Sequence, residues 1–292
     1  MKQNRLMTTP PDGIPVRGVI QFVHGMCEHK ERYDETMKYL SHNGCVCIIS
    51  DLPGHGENVA SSRDYGYFGN DGLNNLLKCV HDNTLFIKEH FPDIPYILFG
   101  HSMGSLVCRA YLKRYDNFVD TAFICGSPSD NGMKAAAIPV LNALTAIWGE
   151  HKKSNIAKNL CTGAFEKPFK SEGVPNSWIC SDMNIVKKYN NDELCGFTFT
   201  LNGYSTLVKL LFTVYSNNGW KVSDPYLPIY FISGEDDPCM VDKKHFKNAV
   251  NVMKKVGYKN VHARLFPEMR HEILNEKRKE LVYRYILENL PE

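Results

Sequence analysis

The stretch Pro95-Tyr96-Ile97-Leu98-Phe99-Gly100-His101-Ser102-Met103-Gly104 joins two different patterns of apolar residues. Its first half is a short apolar run typical of a buried strand, and the residues from Leu106 to Leu112 repeat with helical spacing. A serine between two glycines at such a junction predicts a tight strand-to-helix turn that pushes the hydroxyl out of the sheet. The alternative is an ordinary turn whose serine has no chemical role.

Strand-like and helix-like segments alternate on both sides of this turn. This alternation predicts an α/β fold with a mostly parallel sheet flanked by helices. In such sheets functional groups gather at the carboxyl ends of the strands. The predicted strands cover 18–23, 45–50, 96–99, 121–125, 229–233 and 261–266, and the predicted helices cover 31–43, 73–90, 243–256 and 276–289.

The alternation breaks between residues 127 and 224, a span too long for a plain connection. We therefore predict a core formed by 1–128 and 225–292, with a mostly helical cap inserted at 129–224. Two apolar stripes in this span follow helical spacing, and packing between cap and sheet explains most of their residues. The alternative is that some line an acyl-chain tunnel or rest on a membrane surface. The stripes are Val140, Leu141, Leu144, Ile147 and Trp148, and then Leu207, Leu210, Leu211, Val214 and Tyr215.

Composition excludes several classes of protein. With 43% apolar and 23% charged residues the chain reads as globular rather than disordered. The net charge is only +2, and Lys and Arg are scattered rather than gathered into the basic patch that a nucleic-acid-binding protein needs. The ten cysteines form no C-x-x-C pair, which favours free thiols over disulfides or structural zinc. The N-terminus lacks the apolar core of a signal peptide and no run reaches transmembrane length, so we predict a cytoplasmic protein.

A serine nucleophile needs a base to take its proton and an acid to orient that base. The turn Gly234-Glu235-Asp236-Asp237-Pro238 follows one predicted strand, and His271 follows the last one. Ser102, Asp237 and His271 are therefore the predicted catalytic residues, with Asp236 and then Glu235 as alternative acids. This chemistry requires no metal and no cofactor.

Two backbone N–H groups must also face the oxyanion that develops in such a reaction. Met103 follows the serine directly and offers one, and Met26, in the loop after the first predicted strand, offers the other. Gly25 lets the backbone of that loop approach a substrate. We expect His24, Gly25 and His101 to support the site or contact the substrate.

Four motifs together resemble the monoacylglycerol lipases and related lysophospholipases, which are hydrolases of the serine aminopeptidase type. His24-Gly25-Met26-Cys27-Glu28-His29 with Arg32-Tyr33 resembles their HGxxEHxxRY signature, and residues 51–56 resemble their DxxGHG loop. Residues 100–104 match the GHSMG turn, and 234–238 resemble the acid-bearing turn. The resemblance implies an α/β-hydrolase fold with a helical cap inserted after the sixth strand. It also implies Ser102 as nucleophile, His271 as base, Asp237 as acid, and Met26 and Met103 as oxyanion donors.

Two departures from the family pattern stand out. Glu57-Asn58 follows the GHG loop where the family usually has a serine, and the short N-terminal segment predicts that an early antiparallel strand or two is missing. His29 and Arg32 resemble anion binders, but we expect them to position the oxyanion loop through hydrogen bonds.

The predicted reaction is hydrolysis of a medium or long acyl ester, such as a monoacylglycerol or a lysophospholipid. Alternatives are a short-chain esterase, a thioesterase, an aminopeptidase, and a non-catalytic binding protein of the same fold. The expected partners are a small acyl ester and, transiently, a membrane or micelle touched by the cap. The sequence leaves the oligomeric state open.

Overall fold

The computed structural model describes residues 4–130 and 132–291, in which the strands form one seven-stranded sheet. The strand order across this sheet is β1-β3-β2-β4-β5-β6-β7, and every neighbouring pair is parallel except β1 with β3. The strands are β1 (Arg5–Thr8), β2 (Gly18–Val23), β3 (Cys45–Ser50), β4 (Tyr96–His101), β5 (Thr121–Cys125), β6 (Ile229–Gly234) and β7 (Val261–Phe266).

Helices cover both faces of the sheet, which explains why β2 to β5 are buried along their whole length. On one face lie α1 (Asp34–His42) and α9 (Glu280–Glu288). On the other lie α2 (Gly72–His90), α3 (Met103–Tyr115) and α8 (Lys243–Lys255). The carboxyl ends of β2, β4, β6 and β7 therefore open into the loops that carry the predicted motifs.

Helix α8 shows how the sequence specifies such an element. The Asp242 carboxylate accepts the N–H of His245 at 2.8 Å and caps the helix. Phe246, Ala249, Val250 and Met253 then recur on one face and are buried against the sheet. Removing each large apolar side chain from water stabilises the fold by about 1.5–3 kcal/mol.

The structure corrects the predicted place of the insertion and the predicted start of the last helix. The N-terminal segment does supply one antiparallel strand, β1, in which Arg5 pairs with Ser50 and Thr8 with Cys47. Because β1 is the one strand before β2 in the described residues, which begin at residue 4, the insertion follows the fifth of the described strands rather than the sixth. Helix α9 begins at Glu280 rather than Glu276, since the Glu276 carboxylate instead accepts the backbone N–H groups of Ser181 and Arg270.

The insertion between β5 and β6 contains α4 (Met133–Trp148), α5 (Asn155–Thr162), α6 (Met183–Asn191) and α7 (Leu201–Tyr215). Helix α7 packs on α3 and α4 and buries Leu207, Leu210 and Val214 of its predicted stripe. The α4 stripe behaves differently: Leu141 is buried, but Ile147 and Trp148 are 71% and 47% exposed. In the described part of the chain, no helix has both the length and the apolarity to cross a membrane.

Candidate active site

Ser102 stands at the end of β4 in a conformation that few residues other than glycine adopt. Its φ is 53° and its ψ is −121°, a strained backbone that costs about 1–3 kcal/mol and typically occurs at functional sites. Its N–H donates to the Cys125 carbonyl at 2.9 Å, which fixes the turn against β5. A Cβ at Gly104 would lie 2.0 Å from the Val23 carbonyl oxygen, so only glycine lets α3 start this close to β2.

Asp237 and His271 meet at the ends of β6 and β7. His271 Nδ1 lies 3.0 Å from each carboxylate oxygen of Asp237, and both residues are 2% exposed. Burial alone would raise the pKa of Asp237, but the charge and hydrogen bond of His271 outweigh it and lower that pKa. The Ser233 hydroxyl and the Cys239 N–H also donate to the carboxylate, each at 2.8 Å, which holds it ionised toward the imidazole.

The two alternative acids lie elsewhere in the same turn. Asp236 is exposed to solvent, and Glu235 forms an ion pair with Lys243 at the surface. Of the three acidic side chains in the turn, Asp237 is the one that the fold brings to His271.

Two cavities of different chemistry meet at Ser102. The larger, about 390 Å³, is lined by both apolar and polar side chains, among them Gly25, Met26, His101 and His271, and by the insertion; because it is the more polar of the two, we call it the polar cavity. The smaller, about 80 Å³, is mainly apolar. Ser102, Met26, Thr162 and Trp178 border both cavities, and the apolar cavity is further lined by Met103, Pro128, Ser129, Ala137, Leu160, Cys161, Ala164, Phe165, Leu207, Val208, Leu211, Cys239 and Val241.

The N–H groups of Met26 and Met103 are available at this meeting point. Neither donates to an acceptor within residues 4–130 and 132–291. Met103 is the first residue of α3, where helix geometry leaves the N–H without an internal partner. A Cβ at Gly25 would lie 3.1 Å from the Ser102 Cβ, which shows how closely the loop before Met26 approaches the serine.

Glu28 holds that loop in place. Its Oε1 accepts the Gly25 N–H at 2.6 Å and the Tyr33 hydroxyl at 3.1 Å, and it lies 3.2 Å from His101 Nδ1. Burial would raise the pKa of Glu28, but the hydrogen bond from His101 and the charge of Arg32 lower it well below its usual value. The carboxylate therefore stays charged although it is 3% exposed.

Arg32 connects Glu28 to the histidine loop. Its guanidinium donates to Glu28 Oε2 at 2.7 Å and to both oxygens of Glu272, the residue after His271, at 2.7 and 2.6 Å. The predicted positioning role thus agrees with the geometry of Arg32. His29 does not contact the loop of Gly25 and Met26 in this way, because its ring contacts Glu31 and Asp192 instead.

The pKa values of three buried histidines are shifted in different directions because their partners differ. His24 donates from Nδ1 to the Gly25 carbonyl and accepts the Leu52 N–H at Nε2, and burial lowers its pKa. His55, from the GHG loop, accepts the Cys27 N–H, and burial lowers its pKa to about 3. Burial also disfavours charge on His101, but Glu28 outweighs it and raises that pKa. His24 is fully buried and supports the loop rather than lining a cavity.

Sequence reasoning missed three contributors to the site. Glu28 and Glu272 are two of 32 acidic residues, and the sequence did not mark either of them as part of the site, although Glu28 lies within the quoted HGxxEH motif. Trp178, whose ring centroid lies 5.0 Å from that of His271, comes from the insertion and had no motif to reveal it.

Two groups of side chains in the described residues are spaced closely enough to hold a metal ion. One is Asp237, Cys239 and His271, where the imidazole and carboxylate already bind each other. The other is His29, Asp192 and Cys195, none of which lines either of the two cavities.

Comparison with known proteins shows the family. Residues 14–278 match the family model described as serine aminopeptidase S33. The chain is 24% identical to the monoacylglycerol lipase of Mycolicibacterium smegmatis over 276 residues, which cover 93% of this chain and 87% of that protein. It is 29% identical to the monoglyceride lipase homolog of Monkeypox virus over 194 residues, 66% of this chain and 62% of that relative.

Among solved structures, the thermostable carboxyl esterase of Bacillus coagulans superposes with a TM-score of 0.88 at 27% identity. The superposition covers 98% of this chain and 93% of the esterase. The match to a family model over most of the chain and the shared sheet agree with the family that the motifs resemble. The chain therefore belongs to the serine aminopeptidase S33 family, within the α/β-hydrolases of the monoglyceride lipase and esterase type.

Proposed function

We propose that this protein is a serine carboxylester hydrolase in which Ser102 is the nucleophile. His271 would take the serine proton while Asp237 holds the imidazole in the right tautomer. The N–H groups of Met26 and Met103 would bind the oxyanion. The observation that carries the proposal is that a strained serine and a carboxylate-bound imidazole open onto one cavity.

The two cavities suggest which part of the ester lies where. In such a reaction the protonated histidine must reach the oxygen of the leaving alcohol. His271 lines the polar cavity and not the apolar one, so the alcohol belongs in the polar cavity. The acyl chain then belongs between α4, α5 and α7, where Leu160, Leu207 and Leu211 provide an apolar wall. In this arrangement the insertion acts as the predicted cap.

The polar cavity offers hydrogen-bonding groups suited to a hydroxylated or zwitterionic alcohol. Lys158, Asn159, Glu166 and Asn176 line it and offer an ammonium group, a carboxylate and two side-chain amides. A glycerol or a lysophospholipid headgroup has the hydroxyl and charged groups that such walls recognise. An α-ammonium of a peptide finds less support, because Glu28 and Glu272, which also line the cavity, are both already paired with Arg32.

A second candidate function is suggested by the size of the apolar cavity. Its 80 Å³ is well below the roughly 150 Å³ of a protein cavity that takes one benzene. A chain of more than a few carbons therefore requires the insertion helices to separate. A short-chain esterase would need no such movement.

An ester series separates these candidates. We expect purified protein to hydrolyse p-nitrophenyl esters from acetyl to palmitoyl and a monoacylglycerol, with a peak at medium or long chains. Leu211→Trp should fill the apolar cavity, sparing acetate and lowering activity on the longer esters about tenfold or more. Phe212→Trp, an exposed neighbour outside the cavity lining, is the matched control. A peak at acetate, unaffected by Leu211→Trp, would favour the short-chain esterase, and cleavage of aminoacyl anilides alone would favour a peptidase.

The exposed side of α4 supports a proposed contact with lipid surfaces. Ile147 and Trp148 lie near the end of this helix, 71% and 47% exposed, and α4 also borders the apolar cavity through Ala137. An exposed apolar face beside an acyl cavity suits an enzyme that collects amphiphiles from a membrane or micelle.

All ten cysteines are free, which supports the proposal of a reducing, cytoplasmic location. Alkylation of freshly isolated protein checks it, because a disulfide-bonded form would leave fewer than ten alkylated thiols.

A further inference from the structure

Three donor side chains of different chemistry meet where the core contacts the insertion. His29 lies between β2 and α1, and Asp192 and Cys195 follow α6 in the insertion. Their ligand atoms all lie within 4.8 Å of one another, and His29 and Cys195 are 7% and 8% exposed. This cluster does not include Ser102, His271 or Asp237, and nothing in the proposed function uses it.

The insertion presents its two donors from a preformed turn. The Cys195 N–H donates to the Asp192 carbonyl at 3.0 Å, and the Leu194 N–H donates to Asp192 Oδ1 at 2.8 Å. These bonds leave Asp192 Oδ2 to face His29 Nε2, 2.9 Å away. An Asp-x-x-Cys turn therefore holds a carboxylate oxygen and a sulfur close to one imidazole.

A second acid, Glu31, orients that imidazole. His29 Nδ1 lies 2.6 Å from Glu31 Oε2, to which it donates its proton. In metalloproteins a carboxylate behind a ligating histidine fixes the tautomer, so that the other ring nitrogen faces the ion. Without a metal, the same Nε2 carries a proton shared with Asp192.

We propose that His29 Nε2, Asp192 Oδ2 and Cys195 Sγ form a site for a divalent transition metal, with zinc as the expected ion, that fastens the insertion to the core. Imidazole, carboxylate and thiolate are the donors that zinc takes, and zinc prefers four ligands in a tetrahedron. The Asp192 side chain is 34% exposed, so water can reach the fourth position. On binding, the metal replaces the proton of His29 Nε2 and the thiol proton of Cys195, which both pass to solvent.

The geometry needs only small side-chain adjustments. Ordinary zinc bond lengths place tetrahedral ligand atoms about 3.4–3.6 Å apart. The imidazole and carboxylate would separate by about half an ångström from 2.9 Å, and the sulfur would approach from a distance within 4.8 Å.

The surrounding charges are compatible with a dication. Thiolate and carboxylate together balance its charge. Two nearby cations are already paired, since Lys30 Nζ contacts Asp51 at 2.9 Å, Glu57 at 2.6 Å and Glu31 at 3.0 Å, and Arg32 binds Glu28 and Glu272. Neither cation therefore faces the cluster as a lone charge.

Cobalt(II) substitution tests the proposal without reference to activity. Tag-free full-length protein would be titrated with Co²⁺ under reducing conditions and followed by absorbance, because a thiolate ligand gives an intense charge-transfer band. We expect saturation at one equivalent per chain and displacement of the band by Zn²⁺. Cys195→Ser and His29→Gln should each lose the band, whereas Cys161→Ser, which removes another insertion cysteine, should keep it.

Several outcomes would contradict a metal site at His29, Asp192 and Cys195. No band in the folded wild-type protein, or a band that persists at full intensity in both Cys195→Ser and His29→Gln, would overturn the proposal. If Cys195→Ser fails to fold, Asp192→Asn keeps the thiol and should weaken Co²⁺ affinity at least tenfold, and unchanged affinity would overturn the proposal. Because these readouts do not involve ester hydrolysis, they stand whether or not the proposed function is right.

Discussion

Replacing Arg32 by methionine tests whether the buried ion pairs join the two halves of the candidate site. The substitution keeps an aliphatic stem but leaves Glu28 and Glu272 without their shared cation. Their side chains are 4% and 5% exposed, so water can do little to stabilise the two charges. Removing one partner of a buried pair costs about 3–5 kcal/mol, and we expect the free energy of unfolding to fall by that amount.

The loss should depend on pH in a predictable direction. In the native protein the pKa of Glu28 is held below its usual value, so its charge contributes stability above about pH 4.3 that is lost as pH falls through the depressed pKa. Without Arg32 the folded-state pKa of Glu28 rises, and protonation relieves the unpaired charge in acid. The destabilisation by Arg32→Met should therefore be larger at about pH 8 than at about pH 5.

Urea denaturation at both pH values measures the effect. Arg278→Met is the matched control, because its pair with Glu268 lies at the surface and should contribute less than about 1 kcal/mol. If the loop of Gly25 and Met26, the proposed oxyanion-binding loop, also shifts, kcat should fall by up to about 10²–10³ with little change in KM. A destabilisation below about 1 kcal/mol, or one that is the same at both pH values, would refute the reasoning.

Two further predictions follow from the site and the insertion. Asp237→Asn should lower kcat by about 10⁴, because the carboxylate that orients His271 is lost. Asp236→Asn should retain nearly wild-type activity, and steady-state kinetics that reverse this order would make Asp236 the acid. Replacing Ile147 and Trp148 together by serine should reduce cosedimentation with anionic lipid vesicles severalfold while leaving hydrolysis of soluble esters unchanged. Equal vesicle binding by wild type and variant would show that α4 does not form the contact.

The sequence predicted the parts of the fold that depend on local pattern. The β7 bounds agree with the predicted strand, and α2 begins within one residue of the predicted start, because apolar runs and helical stripes are local signals. The turn at Ser102 was also predictable, since glycines are needed where α3 approaches β2.

Features that depend on contacts between distant parts of the chain could not be predicted from local sequence patterns. Strand β1 is short and half-buried, and only its pairing with β3 makes it a strand. The α4 stripe was periodic but faces outward in part, because periodicity shows a face without showing what covers it. Arg32 contacts Glu272, 240 positions away in the sequence, and no spacing rule detects such a contact.

The choice among acidic residues shows the same limit at the site. Asp236 and Asp237 are adjacent and chemically identical in sequence. The turn after β6 buries Asp237 against His271 and turns Asp236 toward water. A one-residue difference in a turn therefore decides which carboxylate meets the imidazole.

The most direct test of the central proposal is stoichiometric labelling by a fluorophosphonate, with ester hydrolysis measured alongside, in wild type and in Ser102→Ala. We predict one adduct per chain, located on Ser102 by peptide mass spectrometry, and a fall in kcat of about four to six orders of magnitude in the variant. Labelling at another residue, or a variant that keeps a tenth of the activity, would contradict the assignment of Ser102 as the nucleophile.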